Sequence, residues 1–206
     1  MEKWDVPRPK GDRTRTSNTT ETDMAHEIDI VTERKKSSPH SWDKPPGATF
    51  EEWMKTRIAR VDDRPYDWNA LKFQADFDPK YRRAQKRFIG TGATGVAKDA
   101  GTIPAENFTL SNMVIPAGGE GPMHLHTDAE EVFFVLRGKI KVMVEQDGEH
   151  YETILGERDC ISIPPGVYRG EINVGEEDAI IMVMIGSPKP ETPTYPADHP
   201  LAKIKR

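Results

Sequence analysis

The chain has 206 residues with 29 Lys plus Arg against 34 Asp plus Glu, a net charge of −5 that gives no global pull toward nucleic acid or an anionic membrane. Its longest apolar runs, Val132–Leu136 and Ile180–Ile185, fall far short of the roughly 20 residues needed to cross a bilayer. Eleven of the first 50 residues are apolar, against 35 of the 80 from 108 to 187, so the core belongs to the second half. The N-terminus lacks the apolar region of about 7–15 residues that an export signal needs, and the lone Cys160 cannot form an internal disulfide. A reducing cytoplasm is the expected location.

Residues 1–47 show no period of 2 or 3.6 and read as an extended or disordered arm, with Trp4 and Trp42 as candidate anchors on a neighbouring subunit. Residues 48–104 read as a helical and loop extension. Thr49 with Glu52 spells a capping box, and Phe50, Trp53, Met54, Ile58 and Val61 then share one helical face. Asp78 as N-cap and Pro79 at the first helical position predict a second helix to about Phe88, whose cations Lys80, Arg82, Arg83, Lys86 and Arg87 would form a solvated face or, as the alternative, a local site for anionic ligands. Gly90-Thr-Gly92-Ala-Thr-Gly95 spells G-x-G-x-x-G but precedes no helix that could receive a pyrophosphate, so it reads as a loop.

From Phe108 the pattern changes to short β-branched and aromatic runs broken by Gly, Pro and Asp-Gly, the mark of an antiparallel sandwich or barrel. Strands are expected near 108–115, 122–126, 131–137, 139–146, 149–155, 160–163, 169–174 and 179–186, with Gly138 and Asp147-Gly148 as turns. The continuous runs Val132–Leu136 and Ile180–Ile185 suggest cover on both faces. Cys160, Met113, Met143, Met182 and Met184 read as core filler, and His26, His40, His150 and His199 as surface. The Pro-rich residues 188–206 read as an extended strap.

One segment, Gly118–Gly138, carries chemistry. His124 and His126 are two apart, so a strand projects both imidazoles from one face, and Glu131 follows a turn onto the next strand. Two neutral imidazoles and a carboxylate suit Fe(II), and Mn, Zn, Co or Ni can occupy similar sites. Glu130 competes, but pleat alternation sends it to the face opposite Glu131.

This segment resembles the first signature of the cupin superfamily at Gly118, His124, His126, Glu131 and Gly138, and Pro164-Pro165-Gly166 with Asn173 resembles the second. The second departs at its histidine, whose position Arg169 holds, and at its opening glycine, where Arg158 stands. The resemblance covers about residues 105–187. It implies an all-β fold, a double-stranded β-helix or jelly-roll barrel, usually dimeric or larger, with one divalent metal on the first-motif residues. Arg169 leaves two outcomes open: it reaches past the metal to grip an anionic substrate, or it pairs with Glu131 in a metal-free pocket.

The expected function is a mononuclear non-haem dioxygenase acting on a small anionic organic compound, aromatic ones included, with Fe(II) on His124, His126 and Glu131, Arg169 as substrate anchor and Tyr168 as a weaker polar candidate. The alternatives are a metal-dependent isomerase, decarboxylase or hydrolase using the ion as Lewis acid, and a binding barrel without catalysis.

Overall fold

In the computed structural model, the described residues are 43–96 and 98–204. The arm with Trp4, Trp42, His26 and His40 lies outside them, apart from residues 43–47. Nine strands form two antiparallel sheets. They are β1 (Ala84–Ile89), β2 (Thr109–Ile115), β3 (Glu120–His124), β4 (Glu131–Arg137), β5 (Ile140–Gln146), β6 (Glu149–Leu155), β7 (Cys160–Ile163), β8 (Tyr168–Asn173) and β9 (Ala179–Ile185). One sheet runs β1-β2-β9-β4-β7 and the other β3-β8-β5-β6. Their facing side chains, among them Ile115, Phe133, Val135, Ile140, Val142, Ile163 and Ile181, make one core.

The alternating strands form where the pattern places them because one face of each meets this core. In β9, Ile181, Val183 and Ile185 are buried, whereas Ile180, Met182 and Met184 are half-buried. The continuous runs therefore bury one face fully. Met113 joins the core, while Cys160 is exposed and Met143, Met182 and Met184 face outward. Gly138 closes the β4–β5 turn at φ +84°, where a Cβ would meet Ala179 at 3.2 Å.

The extension departs most from expectation. Thr49 and Glu52 do cap a helix, α1 (Phe50–Lys55), but it ends after six residues with no side chain buried, and Phe50, Ile58 and Val61 are exposed. A second helix, α2 (Lys72–Phe77), was not signalled. Asp78 accepts from the Lys80 amide as an N-cap should, yet the turn it opens is a single 3₁₀ turn, Pro79–Tyr81. The chain then enters β1, which pairs with β2.

The predicted helical cations are consequently not a solvated face. Arg87 is buried between Asp67 (2.8 Å) and Asp99 (3.0 Å), and Lys86 donates to the Val61 carbonyl at 2.7 Å. Arg83 is buried too, whereas Lys80 and Arg82 stay at the surface. Tertiary partners far apart in sequence override the local helix signal.

The glycine loop after β1 is a loop, as read, with Gly90, Gly92 and Gly95 all at positive φ. The proline-rich tail lies against the barrel through a bridge between Leu125 and Thr194 and ends in a 3₁₀ turn, Pro200–Lys203. It is more than a surface strap: Tyr195 and Leu201 are buried, and His199 stacks on Tyr195. His150 is exposed. Among the described residues no helix is long and apolar enough to cross a membrane.

Candidate metal centre

His124 ends β3, His126 follows it, and Glu131 opens β4. Alternation along β4 turns Glu131 inward with Phe133 and Val135, while Glu130 is exposed and accepts from Ser162 Oγ. Glu131 Oε2 lies 3.4 Å from His124 Nε2 and 3.7 Å from His126 Nε2. One ligand atom from each of the three lies within 4.8 Å of the other two.

The protonation of this trio follows from its partners. His124 Nδ1 sits 2.9 Å from the Pro122 carbonyl, which can only accept, so Nδ1 carries a hydrogen and Nε2 is the atom turned to Glu131, free to bind an ion whenever it is unprotonated. Burial is the largest influence on His126 and pushes its pKa down to about 4, with Glu131 opposing, so this ring is neutral at pH 7. Burial raises the Glu131 carboxyl, but His124, His126 and Arg169 outweigh it and hold the pKa below the ordinary value. Two imidazoles and a carboxylate thus meet with Oε2 buried and without a hydrogen-bond partner. Lone pairs so placed repel unless a cation lies among them, and the donor set fits a divalent ion.

Arg169 is fully buried in β8. Its Nη2 donates to the carbonyls of Ile163 (3.3 Å) and Pro164 (3.1 Å), and its Nε is 3.5 Å from Glu131 Oε2. It does not line the cavity beside the histidines. Register places it behind Glu131, with Nη2 held by main-chain oxygens, and not in the cavity wall where the expected substrate anchor would stand. Tyr168 precedes Arg169 on the strand and lies on its opposite face, so it is not brought to the trio either. Asn173 donates to the carbonyls of Ile115 and Glu177, pinning a turn.

The cavity measures about 60 Å³. Phe133, Met113, Val183 and Ile185 give it apolar walls, and Arg83 and Glu171 add buried charges. Gln74, Gln85 and Thr94 from the extension and Pro193 from the tail complete its lining. None of these last residues carries a sequence signal, because they meet only through the fold. The one cue was Arg83 in a cluster whose charge has no local purpose.

Residues 111–185 match the family model described as Cupin domain. A germin-like protein of Oryza sativa subsp. japonica is 29% identical over 103 residues, covering 48% of this chain and 46% of that protein. The chain spans about half the length of the curated relatives it matches. Peruvianin-I, described as a cysteine peptidase from Thevetia peruviana latex, superposes with a TM-score of 0.53 at 19% identity, covering 72% of this chain and 80% of that one. An oxalate oxidase superposes at 0.51 and 18% identity, covering 74% and 66%. These two likenesses establish a shared fold.

Proposed function

Given that this chain belongs to the cupin superfamily, we propose that it is a mononuclear metal enzyme carrying out oxidative chemistry on a small anionic compound. Fe(II) is the expected ion, and Mn, Zn, Co or Ni suit the same donors. The observation that carries this reading is the convergence of three ligand-type side chains, His124, His126 and Glu131, beside a small cavity. When bound, the ion supplies redox chemistry and open positions for substrate and dioxygen.

The rest is the work of the chain's own residues. The Pro122 carbonyl fixes the hydrogen on His124 Nδ1, and Arg169 sets a positive charge 3.5 Å behind the Glu131 carboxylate. Phe133, Met113, Val183 and Ile185 exclude water. At about 60 Å³ the cavity is well under the roughly 150 Å³ that accommodates benzene in an engineered site, which favours a short compound over an aromatic one. A neighbour in fold is an oxalate oxidase solved with the substrate analogue glycolate, which makes short carboxylates the first compounds to assay.

A second reading, Lewis-acid chemistry without dioxygen, is favoured by Glu171, a second buried carboxylate at the same cavity beside the three ligand-type residues. Oxygen uptake by iron-loaded protein supplied with oxalate, glycolate or malonate tests the first reading. Substrate-dependent uptake is expected. Turnover that persists anaerobically moves the assignment to the second, and metal-loaded protein that turns over none of them argues against both.

A further inference from the structure

The cavity has a second polar wall, built mainly from outside the family-matched segment. Arg83 on β1 donates through Nη1 to Glu171 Oε1, and through Nη2 to Gln74 Oε1 at 2.6 Å. Gln74 on α2 in turn donates through Nε2 to the Tyr195 hydroxyl at 2.7 Å. Arg83 and Gln74 are each 5% exposed and Glu171 2%. Even so, Arg83 Nε and Glu171 Oε2 have no hydrogen-bond partner.

A buried ion pair recovers little beyond its own desolvation, and each orphaned polar atom adds to that cost. An apolar pair would stabilise the barrel at least as well. The fold also makes room for the charges: Gly121 faces Glu171 across the β3–β8 pairing, and any side chain there would collide with the carboxylate. Arg169 does not line this cavity, and its Nη2 donates to the carbonyls of Ile163 and Pro164, so Arg83 is the cation that the cavity wall presents.

We propose that Arg83 is the carboxylate anchor of this site. It binds one carboxylate of a short mono- or dicarboxylate whose other end faces His124, His126 and Glu131, with Nε–H as the donor left over for it. Gln74 and Tyr195 hold the guanidinium in place, and Glu171 balances its charge when no substrate is bound. What the other end of the ligand meets rests on the metal reading; capture of the anion rests on Arg83 alone.

The test is calorimetric titration of oxalate into manganese-loaded and chelator-treated protein, with bound metal measured separately. Arg83→Met combined with Glu171→Gln removes both charges, so neither is stranded. The dissociation constant for oxalate should rise about 10- to 100-fold, as expected for a charge-assisted hydrogen bond, while metal per chain stays at the wild-type value. Glu171→Gln alone should bind oxalate as tightly as wild type or more tightly. Should the double variant not fold, Arg83→Lys keeps the charge without the fork and should still weaken binding about tenfold. Oxalate affinity within threefold of wild type in the folded double variant, or in Arg83→Lys, overturns the proposal, as does wild-type protein that binds no oxalate. Wild type that fails to take up metal sinks the metal reading instead, and the chelator-treated titration then decides on Arg83.

Discussion

Arg169 Nε stands 3.5 Å from Glu131 Oε2, and both side chains are buried where the barrel's own main-chain carbonyls hold the guanidinium. A permanent cation therefore backs one face of the carboxylate while two imidazoles meet it from elsewhere.

Arg169→Met separates bracing from substrate binding. Removing one partner of a buried pair costs about 3–5 kcal/mol, so chelator-treated protein should lose stability by that order in urea. Metal addition should restore more stability to the variant than to wild type, because Glu131 keeps its full charge for the ion. The Michaelis constant should change less than threefold, since Arg169 does not line the cavity. A tenfold or larger increase with metal content unchanged would return Arg169 to the role of substrate anchor.

The cavity's size makes a prediction about selectivity. Catechol and benzoate should not compete with a short carboxylate, whereas enlarging the wall by Val183→Ala should admit them before it abolishes activity. Competitive inhibition of wild type by benzoate would show that the closed volume does not limit the substrate.

Stability should depend on pH through His126 in chelator-treated protein. Its folded pKa of about 4 lies below the 6.5 of the free side chain, so between these values the unfolded chain holds the extra proton. Stability from this group is full above pH 6.5 and is lost as pH falls toward 4. The urea midpoint should drop across that window in wild type and less so in His126→Ala. Equal slopes in the two proteins would mean that His126 is not buried and neutral.

Much of this architecture is legible in the sequence. Short β-branched and aromatic runs and the turn at Gly138 announce the strands, and pleat alternation separates Glu131 from Glu130. Strand β1 was illegible because its sequence, Ala84-Gln-Lys-Arg-Phe-Ile89, buries cations, and those are stabilised by Asp67, Asp99, Glu171 and the Val61 carbonyl, contacts that exist only once the chain has folded. Arg169 was legible as a departure from the motif but not as a brace, since only strand register shows which carbonyls receive its fork. Arg83 is legible only as one cation of a basic cluster, because its partners Glu171 and Gln74 reach it through the fold.

Gly138→Ala tests the turn that aligns β4 with β5. A left-handed φ costs an L-residue about 1–2 kcal/mol, and the approach to Ala179 adds to it. The Tm should fall by about 2–8 °C with metal content unchanged. An unaltered Tm would mean that the turn readily relaxes.

The most direct test of the metal centre is elemental analysis of protein purified without added metal, wild type beside His126→Ala and Glu131→Gln, with folding checked by circular dichroism. One equivalent of a transition metal in wild type, iron first among them, and less than a tenth in either folded variant is the predicted result. Metal absent from wild type even after reconstitution, or retained in full by both variants, would contradict it.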